Sequence, residues 1–208
     1  MNFFGHAVVA GWVDRRAEHV LGSMLPDFQG MVRVPLLEVK DEHIQRGIDL
    51  HHRTDDVFHR SRVFLSWTSD ALEVLLDLGV RRGTARAVAH VAAEMFLDGH
   101  LASHPPLEGG YLAALSVEAD GRVRWEDGGT AFGRLRGRLN GWGAPRDYQD
   151  PAFVLARLRD ALSWRPGLAF VDGEMDLVAT CLPTLQRHVQ REARSLLVEL
   201  RAALGLQR

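Results

Sequence analysis

The chain has 208 residues, enough for one domain with a sizeable core, and its 46% apolar and 25% charged content is that of an ordinary globular protein. A formal net charge of −2 argues against general attraction to nucleic acid or to an anionic membrane, and no apolar run is long enough to span a bilayer. Cys181 is the only cysteine, which rules out an intrachain disulfide, and the opening MNFFGHAVVAGWVDRR has the reverse charge order of a secretory signal; both predict a cytoplasmic protein.

The periodicity is mostly helical. Residues 2–12 and 14–24 read as two short helices. Pro35 to about Arg60 contains a long one, with Leu37, Ile44, Ile48 and Phe58 on one stripe. Residues 69–79 form another, closed by Gly79. Residues 84–103 form a strong helix opened by Thr84 and stopped before Pro105-Pro106. Residues 105–150 are rich in glycine and proline. Within them LSVEADGRVRW, inside 113–126, predicts a small β-hairpin around Asp120-Gly121, with Val117, Val123 and Trp125 in its strands. Helices resume near 130–140, at 151–164 and from about 174 to 205, the last carrying Leu185, Val189, Leu196, Leu197 and Leu200 on a packing face. The fold class predicted is all-α, in one domain over 1–208.

Polar groups on apolar stripes mark the candidate chemistry. His51 and Asp55 are four residues apart and share a helix face with Ile44, Ile48 and Phe58. An inward-facing carboxylate needs a partner, because burying an unpaired charge is costly. A metal and a structural hydrogen bond both satisfy that need, and an i, i+4 His/Asp pair suits one cation. On the helix at 84–103, Asp98 lies in the stripe of Ala87, Val91, Met95 and Ala102, with Glu94 one turn earlier, His90 at the edge and His100 on the opposite side. His6 sits among Phe3, Ala7 and Ala10. Asp27 follows Leu25-Pro26 and reads as a loop residue. His52 and His59, seven apart, either support the ligands from the flank of their helix or are solvated. His19, His43, His104 and His188 read as surface residues.

Taken in order, these residues resemble the acyl carrier protein phosphodiesterase family. The family opening MNFLAH matches Met1-Asn2-Phe3-Phe4-Gly5-His6. Its GNLLGDFVKG-like segment matches Gly22 to Gly30, and its GI.LHR.ID motif matches Gly47-Ile48-Asp49-Leu50-His51-His52-Arg53-Thr54-Asp55. Its YDHFLA-like run matches Leu97-Asp98-Gly99-His100-Leu101-Ala102. The resemblance covers roughly residues 1–103. The family is similar to the all-α HD-type phosphohydrolases, so the fold it implies is an HD-like helical bundle, here with the hairpin as an insertion. The implied ligands are His6, Asp27, His51, Asp55 and Asp98, around a divalent metal, Mn²⁺ by family and Fe²⁺ or Zn²⁺ by donor chemistry. Three positions depart from the pattern: Pro26 replaces a glycine, Phe58-His59 replaces FTD, and Gly99 replaces the histidine after the aspartate. His59, His90, Glu94 and His100 are the candidates to stand in for that histidine.

The resemblance implies hydrolysis of a phosphodiester, with release of 4′-phosphopantetheine from acyl carrier protein. Glu94 or Asp27 would then orient the attacking water, and Arg53 would bind the phosphate through its forked donors. Arg81, Arg82 and Arg86 offer a patch for docking the acidic carrier protein. The rival readings are a zinc-dependent phospholipase C or nuclease-like hydrolase, and a non-catalytic helical binding protein in which His51–Asp55 is a buried polar network.

Overall fold

A computed structural model describes residues 1–206. In chain order its elements are α1 (Phe3–Val13), α2 (Ala17–Val32), β1 (Leu36–Val39), α3 (Glu42–Phe58), α4 (Arg62–Asp77), α5 (Arg82–Ala102), α6 (Glu108–Leu115), β2 (Val123–Trp125), α7 (Thr130–Trp142), α8 (Pro151–Leu162) and α9 (Glu174–Ala203). The protein is all-α with one small antiparallel two-strand sheet. No helix among the described residues is long and apolar enough to cross a membrane. The chain divides into two compact units, one built from Met1–Val57, Leu101–Pro145 and residues 204–206, the other from Phe58–His100 and Arg146–Ala203.

In the first unit α1 is buried on every side from Phe3 to Ala10, so any polar side chain in it is enclosed whichever way it points. Around it Phe3, Phe4, Phe28, Tyr111, Phe132 and Trp125 form an aromatic core. Phe4 meets Tyr111 edge-on at 5.2 Å and Trp125 stacks on Phe132 at 4.8 Å. Such pairs contribute roughly 0.5–1.5 kcal/mol each beyond the area they bury.

Two sequence expectations shift within this unit. The strand expected in the stretch at 113–126 is Val123–Trp125, but its partner is Leu36–Val39, and the residues before Ser116 continue α6. The DG turn therefore leads out of a helix and into a lone strand. The long helix expected within Pro35 to about Arg60 runs from Glu42 to Phe58, and Asp41 caps it: its carboxylate accepts from the amides of His43 at 2.9 Å and Ile44 at 3.1 Å. Leu37 consequently leaves the predicted stripe, and in β1 it is exposed.

In the second unit α4 packs on α9 and α8 on α9. Ser61 caps α4, accepting from the amides of Val63 and Phe64, and Gly79 closes it at φ 92°, a left-handed conformation that favours glycine. Asp150 caps α8, with Pro151 in the first turn. Glu174 opens α9 and ties it to the start of α5. Its carboxylate takes Arg81 Nε at 2.9 Å, Arg81 Nη2 at 2.9 Å and the Arg81 amide at 2.9 Å. These bonds hold the Glu174 carboxyl down to about 2.

Candidate metal centre

The first unit assembles its site at a helix crossing. Gly22 of α2 and Gly47 of α3 meet so closely that a Cβ on Gly47 would lie 2.1 Å from the His19 carbonyl oxygen and 2.9 Å from Gly22 Cα. Only a pair of glycines permits this approach. His51 and Asp55 then lie one and two helical turns beyond Gly47. On α3, Gly47, His51 and Asp55 form one i, i+4, i+8 stripe. On α2, Ser23 and Asp27 are likewise four apart.

His51 is 5% exposed, and its Nδ1 lies 2.9 Å from the Ser23 carbonyl oxygen. A carbonyl only accepts, so Nδ1 carries the proton and Nε2 keeps its lone pair. Burial and the neighbouring His6 push the His51 pKa down to about 3, so the ring is neutral at ordinary pH. His6, 1% exposed on α1, stacks on His51 with ring centroids 3.8 Å apart. Asp55 joins both imidazoles: Oδ1 is 3.1 Å from His6 Nε2 and Oδ2 is 3.5 Å from His51 Nε2. Its Oδ1 also accepts from the Met1 amino group at 2.8 Å. Burial raises the Asp55 pKa, but His6 and that amino group outweigh it and hold the carboxylate well below its usual range. His6, Asp27 and His51 each place one donor atom within 4.8 Å of the others. Two imidazoles and carboxylates are a donor set for Mn²⁺, Fe²⁺ or Zn²⁺.

Several sequence expectations are corrected here. Asp27 is not a loop residue: α2 runs through Pro26 to Val32, because Leu21, Met24, Leu25 and Phe28 are buried and keep the helix packed past the proline. His19 is not on the surface but 5% exposed. Arg81 is engaged by Glu174 rather than open for docking.

The other candidates fall as follows. Arg53 and His52 are exposed on α3, and His52 meets the His51 ring edge-on at 5.3 Å. Asp98 is fully buried on α5 in the second unit, and His100 is partly buried there. In the same unit Glu94 accepts from His59 and His90, each through Nε2 at 3.2 Å. Burial raises the Glu94 pKa, yet these two imidazoles help hold it well below the usual carboxylate range. Gly99 cannot carry the family histidine, because a Cβ there would lie 2.6 Å from the Tyr148 carbonyl carbon and 2.8 Å from the Gln149 nitrogen.

Sequence reasoning missed Ser23, whose contribution is a backbone carbonyl and so leaves no side-chain signal. It also passed over Gly22 and Gly47 as structural determinants, although both stand inside the quoted motifs. No family model matches the chain, and no curated protein or solved structure matches it.

Proposed function

We propose that this protein is a metal-dependent phosphodiester hydrolase of the acyl carrier protein phosphodiesterase type. One observation carries the reading. His51 must present a lone pair at Nε2, and that lone pair faces a carboxylate oxygen of Asp55 at 3.5 Å. Two acceptors at this separation repel unless a cation lies between them. The Ser23 carbonyl fixes the tautomer that a metal ligand needs, the usual role of a hydrogen bond behind a ligating imidazole.

His6 and His51, with carboxylate from Asp55 or Asp27, would hold the divalent cation, Mn²⁺ by family resemblance. When bound, it supplies a Lewis acid that activates water near neutral pH and offsets phosphoryl charge. The carboxylate not used as a ligand orients the attacking water and takes its proton. The substrate implied by the family is the phosphodiester joining 4′-phosphopantetheine to acyl carrier protein.

The test is metal analysis of the purified protein, followed by assays on phosphopantetheinylated acyl carrier protein, bis-nitrophenyl phosphate and a phospholipid, each with and without chelator. Chelator-sensitive release of 4′-phosphopantetheine, with metal and activity lost together in Asp55→Asn and His51→Gln, is the expected result. Cleavage of phospholipid alone moves the assignment to the phospholipase C class. Absence of metal from wild type and both variants refutes the site.

A further inference from the structure

The second unit carries its own donor cluster, in a different setting. His59, which follows α3, and His90 and Glu94 of α5 place one donor atom each within 4.8 Å of one another. His90 and Glu94 are one turn apart on α5. The two imidazoles stack with centroids 5.0 Å apart, and both Nε2 atoms approach the same oxygen, Glu94 Oε1, at 3.2 Å. The two imidazoles and the carboxylate thus converge on one small region. Phe64 meets both rings edge-on, at 5.4 Å and 5.2 Å, and fixes their planes.

The cluster opens into a groove of about 520 Å³ between α4 and α5, lined by His59, His90, Phe64, Leu72, Arg82 and Arg86. Arg82, Arg86, His90 and Glu94 follow one another at four-residue intervals, a single stripe along α5. Neither arginine has an acidic partner among the described residues, and both are exposed.

We propose that His59, His90 and Glu94 form a second divalent-cation site, of the zinc type, which together with Arg82 and Arg86 binds a phosphate group presented in the α4–α5 groove. Two imidazoles and one carboxylate are a three-donor set that leaves a coordination position open. A dication held by one carboxylate keeps a net positive charge, and the two arginines on the same stripe add to it. An anion completes such a site, and forked guanidinium donors match phosphate geometry. The proposal stands whether or not the His6–His51 set binds metal.

The test uses the full chain, stripped with chelator and titrated with Co²⁺ and Zn²⁺, with circular dichroism to confirm folding. Visible cobalt bands of a low-coordinate His/His/carboxylate site are expected in wild type and in His51→Gln. His90→Gln and Glu94→Gln are expected to bind one ion fewer per chain than wild type and to lose the part of the spectrum that survives in His51→Gln. Inorganic phosphate should shift the bands, with at least tenfold weaker effect in the Arg82→Gln, Arg86→Gln double variant. If His90→Gln and Glu94→Gln bind as many ions as wild type, the cation site is overturned. A spectrum indifferent to phosphate overturns the anion role. Loss confined to His51→Gln leaves only the first set as a metal centre and overturns the second.

Discussion

Replacing Gly47 by alanine puts a Cβ against backbone that cannot rotate away: the His19 carbonyl oxygen at 2.1 Å, the Ser23 nitrogen at 2.8 Å and Gly22 Cα at 2.9 Å. Relieving the first contact requires α2 and α3 to separate by about 1 Å, at an overpacking cost near the upper end of roughly 1–3 kcal/mol. Alanine is the better helix former by about 1 kcal/mol, so the net loss expected is about 2 kcal/mol. The same separation pulls the Ser23 carbonyl from His51 Nδ1, now 2.9 Å away, and should weaken metal binding about tenfold or more. The measurement is a urea titration read at its midpoint, beside Gly133→Ala. Gly133 lies within α7 with nothing in the path of a Cβ, so that variant should gain up to about 1 kcal/mol. A Gly47→Ala protein as stable as Gly133→Ala, with undiminished metal affinity, refutes the reasoning.

Gly99→His, which places a histidine where the sequence resemblance expects one, should not be tolerated. Its Cβ meets the Tyr148 carbonyl carbon at 2.6 Å, and the variant should lose about 3 kcal/mol or fail to fold; a thermal melt matching wild type contradicts this. Glu174 gives a pH signature. Its carboxyl is depressed from 4.5 to about 2 by Arg81, so its contribution is present above the unfolded value and lost as pH falls through the folded one. The full shift corresponds to about 3 kcal/mol, and exposure of Arg81 reduces it to about 1–2 kcal/mol. The melting difference between wild type and Glu174→Gln should therefore be largest above about pH 5 and mostly gone only by about pH 2; a difference independent of pH excludes the linkage.

The sequence by itself determined the helical class and most of the helices, because amphipathic periodicity is local and survives without a fold to read it in. It also determined that His51 and Asp55 share a face, since four-residue spacing fixes that in any α-helix. The polar residues of α1 and α2 were legible only in part. His6 is enclosed because α1 is surrounded, and His19 is buried on α2 although nothing along the chain marks it so. Asp27 is helical because its buried neighbours outweigh the proline before it. None of these follows from spacing along the chain. Strand pairing was decided the same way: Val123–Trp125 needs Leu36–Val39, a partner far away in sequence, and the local DG signal pointed to a nearer one. Tertiary structure alone decided the chemical state of His51. Its proton is placed by a carbonyl on another helix, brought within reach by a glycine crossing one turn earlier.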